Sequence, residues 1–231
     1  MEPTASASLP HRGLFIVFEG GDGVGKSTQL KLLHENLAEA GHSLVLTREP
    51  GGTGLGEAVR GLLLQAHSPA GDMLHISDRA EALLFAAARA QHVEELIEPA
   101  LQAGKIILSD RYVDSSLSYQ GGARGLGIDR VRQVNEWATD GLVPDLTILL
   151  DLPVEAARAR MRDRAAHADR IEAEADAFHE QIRQSFLALA ADAAERYLVI
   201  DADQDPAAIA RVVSRRVEEL LNRRQVSAHV R

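Results

Sequence analysis

The sequence predicts an α/β fold, a five-stranded parallel sheet with helices on both faces. Two observations predict it. Five short β-rich runs alternate with segments whose apolar residues recur at helical spacing. The clearest runs are apolar at consecutive positions, as strands covered on both faces are. The chain has 231 residues, 45% hydrophobic and 26% charged, which suits one generous domain with a packed core.

The first strand is Leu14-Phe15-Ile16-Val17-Phe18, ending at Glu19-Gly20. A glycine-rich turn leads into a helix from Lys26 to Ala40, with Leu30, Leu33 and Leu37 on one face and Gly41 as its stop. Further strands are expected at Ser43 to Thr47, Lys105 to Ser109, Leu146 to Asp151 and Tyr197 to Asp201. Asp78-Arg79-Ala80-Glu81 has the form of a capping box. It opens a long helix carrying Leu83, Leu84, Ala87, Leu96, Ile97 and Leu101. Pro99 has no amide hydrogen and should kink or divide that helix. Other helices are expected over Asp129 to Asp140, Val154 to Arg164, Ala173 to Arg196 and Pro206 to Arg223. No repeat or linker interrupts residues 13–231, so one domain is expected there.

The net charge is −9, which argues against nucleic acid as a partner. Basic residues that bind phosphate must then be gathered locally. There are no cysteines, which excludes disulfides and thiolate metal sites. No stretch nears the about 18 apolar residues of a membrane span, so no membrane partner is expected. Residues 1–12 are small and polar without an apolar core. They are expected to be a disordered leader, which makes the cytoplasm the expected location.

Gly20-Gly21-Asp22-Gly23-Val24-Gly25-Lys26-Ser27 fits G-x-x-x-x-G-K-[ST], the P-loop pattern. It follows a predicted strand and opens a predicted helix, which is the context that the motif requires. Its backbone N–H groups and the helix N-terminus would cradle ATP phosphates. Lys26 would reach the β- and γ-phosphates, Ser27 would ligate Mg²⁺ and Thr28 would meet the α-phosphate. The motif predicts a P-loop NTPase fold without naming the reaction.

Asp110-Arg111-Tyr112 ends the third strand, where ligands of open parallel sheets sit. Asp110 would hold Mg²⁺ through water, and Arg111 would clamp a substrate phosphate through its planar fork. The same two residues would also suit a strand-end ion pair.

Several blocks then agree in order and spacing. They are Phe18-Glu19-Gly20, Arg48-Glu49-Pro50-Gly51-Gly52-Thr53, Phe85-Ala86-Ala87-Ala88-Arg89, and Asp110-Arg111-Tyr112. Ser115-Ser116-Leu117-Ser118-Tyr119-Gln120-Gly121-Gly122, Pro144-Asp145-Leu146 and Asp169-Arg170-Ile171-Glu172 complete the set. From Leu14 to Asp201 the chain resembles bacterial thymidylate kinases.

That resemblance implies transfer of the γ-phosphate of ATP to dTMP, with Mg²⁺, in a homodimer. It implies that Asp22 meets the sugar 3′-hydroxyl and that Arg48 and Arg111 bind the dTMP phosphate. Phe85 would stack on thymine, Arg89 would donate to a base carbonyl, and Ser116 and Gln120 would complete the hydrogen bonds to the base. Tyr119 would pack beneath the sugar. Phe85 and Arg89, at i and i+4, share a helix face, which also describes a core Phe and a snorkelling Arg. Arg48 before Glu49-Pro50 also suits a loop salt bridge, and Pro50 is a candidate cis-proline.

Arg158, Arg160, Arg162 and Arg164 crowd one stretch. Such a run is often a solvated helix face. The resemblance implies instead a lid over residues 156–170 whose arginines stabilise the transferring phosphoryl group. Gly23 stands where some relatives carry a P-loop arginine, so the lid would supply that charge, through Arg164 first and then Arg160. The expected catalytic set is Lys26, Arg111, Arg164, Arg160 and Asp22. The alternatives are another nucleoside-monophosphate or deoxynucleoside kinase, or a P-loop regulatory ATPase.

Overall fold

The computed structural model describes residues 12–65, 74–162 and 169–229. The expected leader lies outside these residues except for Arg12, which bonds Glu98 Oε2 at 3.2 Å. The five strands are β1 (Leu14–Glu19), β2 (Leu44–Arg48), β3 (Ile106–Asp110), β4 (Leu146–Asp151) and β5 (Tyr197–Asp201). They pair in parallel in the order β2-β3-β1-β4-β5. The register sets Phe18 beside Asp110, so β1 and β3 end together.

The helices are α1 (Lys26–Glu39), α2 (Gly54–Gln65), α3 (Asp78–His92), α4 (Glu98–Gln102), α5 (Val113–Ser116), α6 (Ile128–Thr139), α7 (Val154–Arg162), α8 (Asp176–Asp192) and α9 (Pro206–His229). Alternate strand residues face opposite sides. Leu14, Ile16 and Phe18 pack with Leu30, Leu33 and Leu37 of α1 and Ile209, Val213 and Val217 of α9. Phe15 and Val17 face the other way, onto Ile97 and Leu101. Helices therefore cover both faces, as consecutive apolar residues predict. Ile16 is fully buried, so Ile16→Ala should cost about 2–5 kcal/mol.

Three local differences separate sequence from structure. The first is α2, which the sequence hides behind Gly54, Gly56 and Gly61. Each glycine disfavours a helix by up to about 1 kcal/mol. Packing offsets this: Val59 and Leu63 are buried against Ala88, Leu84 and Phe85 of α3. Thr53 Oγ1 accepts from Gly56 N at 3.0 Å and caps the first turn.

The second is the serine- and glycine-rich stretch after Tyr112. It forms α5 and continues as a π-helical segment, Leu117–Ala123. A Cβ on Gly122 would lie 2.3 Å from Ser185 Oγ, so the missing side chain lets α8 approach.

The third is the capping box, which does not form. The N-cap is Ser77, without a side-chain cap bond, and Asp78 is the first helical residue. Glu81 turns inward and accepts from Gln120, Arg124 and Arg170. Pro99 divides the long helix as expected: a π-helical turn, Val93–Ile97, separates α3 from α4.

Candidate active site

The sheet order brings the loop after β1 and the end of β3 to one edge. Gly20 and Gly23 adopt φ of 130° and 79°, which side chains disfavour. A Cβ on Gly20 would sit 2.5 Å from Leu150 O, so the loop lies tight on β4. Lys26 is buried, and its Nζ donates to Gly20 O at 3.1 Å and Gly21 O at 2.7 Å. Burial and the Arg111 charge lower its pKa, against the pull of Asp110 and Asp22. Ser27 Oγ donates to Asp110 Oδ2 at 3.3 Å. Asp110 Oδ1 is buried without a hydrogen-bond partner among the described residues.

Arg111 has φ 75°, a strained value for a residue with a side chain. Its guanidinium bonds Gly20 O at 3.1 Å, Ser115 Oγ at 3.0 Å and Asp22 Oδ1. Tyr119 donates to Asp22 Oδ2 at 3.1 Å. The Arg111 guanidinium lies 5.2 Å from the centre of the Tyr119 ring. Burial works to raise the Asp22 pKa, but the charges of Arg111 and Lys26 and the hydrogen bonds outweigh it and hold the group at about 2. Beneath them lies Glu19, fully buried. It accepts from Tyr112 N at 2.9 Å, Ser115 N at 3.1 Å and Ser115 Oγ at 2.6 Å. Burial and the Asp114 charge push its pKa from 4.5 to about 7.

The other end of the site is built on α3. Arg89 is 2% exposed. It donates to Glu49 Oε2 at 2.6 Å, Ser116 Oγ at 3.0 Å, Tyr112 O at 3.1 Å and Asn135 Oδ1. His92 bonds the other Glu49 oxygen at 2.9 Å and Thr47 Oγ1 at 2.7 Å. The Glu49–Pro50 bond is cis. The snorkelling alternative for Arg89 does not hold: its head is buried and fixed by acceptors.

One cavity of about 440 Å³ unites these parts. Asp22, Gly23, Gly25, Lys26, Ser27, Arg48, Phe85, Arg89, Asp110, Arg111, Ser116, Tyr119 and Gln120 all line it. Arg48 also makes the loop salt bridge, to both Glu57 oxygens at 3.1 and 3.0 Å. Gly20, Gly21 and Val24 line the other side of the loop, toward β4, and Thr28 is exposed and lines no part of the cavity.

For Arg160 the expectation needs correction. Arg160 turns away from the cavity to Asp203 at 3.4 Å. Arg164 lies outside the described residues. Arg158 and Arg162 line the cavity instead, because four residues make about one helical turn and two residues make half of one. Arg60, Asp169 and Glu172 also line it, although the sequence assigns none of them a site role. Arg60 was hidden with α2. For Arg158 and Arg162, the i,i+4 spacing was the available signal.

A profile of the thymidylate kinase family matches residues 18–213. The chain belongs to the thymidylate kinase family. Similar relatives include the thymidylate kinase of Clavibacter sepedonicus, 50% identical over 90% of this chain and 96% of that protein. That of Leifsonia xyli subsp. xyli is 50% identical over 89% of this chain and 95% of that protein. That of Bifidobacterium longum is 48% identical over 90% of this chain and 98% of that protein.

Membership accounts for the P-loop fold and the kinase class that the sequence predicts. In this chain, a Cβ on Gly23 would stand 2.6 Å from Ala157 O and 2.9 Å from Met161 Cγ. A P-loop arginine therefore has no room against α7 in this arrangement.

Proposed function

We propose that this chain transfers the γ-phosphate of ATP to the phosphate of dTMP, giving ADP and dTDP. One observation carries the assignment of roles. A single cavity joins a P-loop to two arginines and to a face made of an aromatic ring, a guanidinium and an amide. The P-loop amides and Lys26 bind the donor phosphates. Arg48 and Arg111 hold the acceptor phosphate, which is itself the nucleophile. Asp22 locates Arg111 and meets the sugar. Phe85 stacks on the base, with Tyr119 beneath the sugar. Arg89 donates to a base carbonyl, Ser116 completes its setting, and Gln120 faces N3. A carbonyl beside an N–H fits thymine, whereas cytosine offers an amine there.

Mg²⁺ fits between Ser27 and Asp110, where the oxygen donors are hard and Asp110 Oδ1 has no protein partner among the described residues. Bound there, the ion would neutralise charge on the donor phosphates. Residues 156–170 act as a lid that carries Arg158 and Arg162 to the phosphates and excludes water. The protein works as a cytoplasmic homodimer. Exposed Leu83 on α3 and Trp137 on α6, 58% and 88% accessible on two helices that pack together, support an apolar subunit contact.

The test is ADP release with ATP and a panel of dTMP, dUMP, dCMP and UMP. dTMP should be turned over best. ADP release independent of acceptor would point to a regulatory ATPase, and a preference for dCMP or UMP to another monophosphate kinase.

A further inference from the structure

Glu81 lies in the first turn of α3, 1% exposed, and no role above uses it. Its carboxylate is where three segments meet. Gln120 donates through Nε2 to Oε1 at 2.9 Å. Arg124 donates to the same oxygen at 3.4 Å. Arg170, from beyond the arginine stretch, donates to Oε2 and also to Leu63 O at 2.9 Å. Burial works to raise the Glu81 pKa, but the bonds from Arg170 and Gln120 and the arginine charges outweigh it and lower the value.

An ionised carboxylate only accepts hydrogen bonds. Facing it, a glutamine amide must present its NH₂ end, since the reversed amide would set oxygen against oxygen. Gln120 lines the nucleotide cavity and is itself 1% exposed. With Nε2 committed to Glu81, Oε1 is the end of the amide left for the cavity.

We propose that Glu81 is a positioning residue for base recognition: it locks the Gln120 amide so that an acceptor meets position 3 of the pyrimidine. This rests on the reading of Gln120 as a base ligand. Thymine carries N3–H and satisfies that acceptor. Cytosine carries a bare N3 and opposes it, leaving two buried acceptors face to face. Arg170 and Arg124 act through Glu81, by keeping it ionised. Base selection therefore depends on Arg170, at the end of the proposed lid, although Arg170 itself lines no part of the cavity.

Glu81→Gln tests the proposal. A second amide is both donor and acceptor, so Gln120 is free to turn either way. The ratio of kcat/KM for dTMP over dCMP should fall about tenfold or more, mainly through a higher KM for dTMP. The KM for ATP should hold. Where dCMP turnover is too slow to measure, its inhibition constant replaces it. A purely structural role would weaken both nucleotides alike and leave the ratio unchanged, which would overturn the proposal.

Gln120→Ala separates the two readings. If it loses discrimination while Glu81→Gln keeps it, Glu81 does not orient the amide. If Gln120→Ala keeps full discrimination, the base-ligand reading of Gln120 fails, and the proposal falls with it. Should Glu81→Gln not fold, the wild-type enzyme decides by nitrogen-15 NMR. The Gln120 NH₂ signal, assigned by its loss in Gln120→Ala, should be protected from solvent exchange with and without dTMP. Rapid exchange in the free enzyme would overturn the proposal.

Discussion

Tyr119 donates its phenolic hydrogen to Asp22 Oδ2 at 3.1 Å, while Arg111 holds the other oxygen of the same carboxylate. One side chain thus sets both the Arg111 guanidinium and the aromatic residue beside it. The Asp22 pKa of about 2 keeps that carboxylate ionised at neutral pH. Asp22→Asn removes the charge but keeps the shape. A hydrogen bond to a charged group contributes about 1.5–3 kcal/mol, so kcat/KM for dTMP should fall about 10–100-fold. Tyr119→Phe removes one neutral donor and should cost less. Steady-state kinetics of both variants check the order. A larger loss in Tyr119→Phe would mean that Asp22 does not organise the pair.

Phe85 is half-buried, touches the cluster of Val59 and Leu63, and lines the cavity. Base–aromatic stacking contributes about 1–3 kcal/mol in nucleic-acid complexes. Phe85→Ala should therefore weaken dTMP binding by about one to two decades and leave ATP binding unchanged. Calorimetry with each nucleotide reads this directly. Unchanged dTMP affinity alongside a lowered Tm would assign Phe85 to the core.

Glu19 supplies a pH dependence of stability. Its carboxyl is neutral by preference in the folded protein, with a pKa of about 7 against an ordinary 4.5. The raised value means that its contribution is fully present below pH 4.5 and is lost as pH rises through about 7. At about 1.4 kcal/mol per pKa unit, the loss is on the order of 3 kcal/mol. Glu19→Gln is a neutral mimic that can keep the Tyr112 and Ser115 bonds. Wild-type Tm should fall between pH 5 and pH 8 relative to that variant. A constant difference across this range would show that Glu19 does not titrate there.

What the sequence revealed follows from how local each signal is. Runs such as Leu14 to Phe18 carry their own burial pattern, and the P-loop needs only its own backbone. The strands and the P-loop were therefore legible. α2 was not, because its three glycines lower helix propensity and only packing onto α3 restores it. Glu81 departs from its expected cap for the same reason. Its spacing from Asp78 suits a cap, but three distant donors compete for the carboxylate and take it inward. Arg160 and Arg162 look alike in sequence. Only the rotation of α7 relative to the cavity tells them apart.

Arg158 and Arg162 face the cavity on α7, whereas Arg160 reaches Asp203 outside it. Arg158 is already committed, through bonds to Glu172 O at 3.1 Å and Asp176 Oδ1 at 2.9 Å. Arg162 lines the cavity at the end of α7, next to the rest of the proposed lid. It is therefore the arginine expected to deliver charge to the transferring phosphoryl group. Loss of such an arginine costs about 10³–10⁵ in rate in related systems, and Arg158 nearby should soften that. Arg162→Ala should lower kcat strongly and change dTMP affinity little, because the charge acts mainly in the transition state. Arg160→Ala should leave kcat near wild type. Arg158→Ala should lower both kcat and Tm, since it also ties α7 to the segment before α8. Steady-state kinetics with thermal melts separate the three. A folded Arg162→Ala enzyme with normal kcat, beside a slow Arg160→Ala enzyme, would mean that α7 turns on closure and presents its other face.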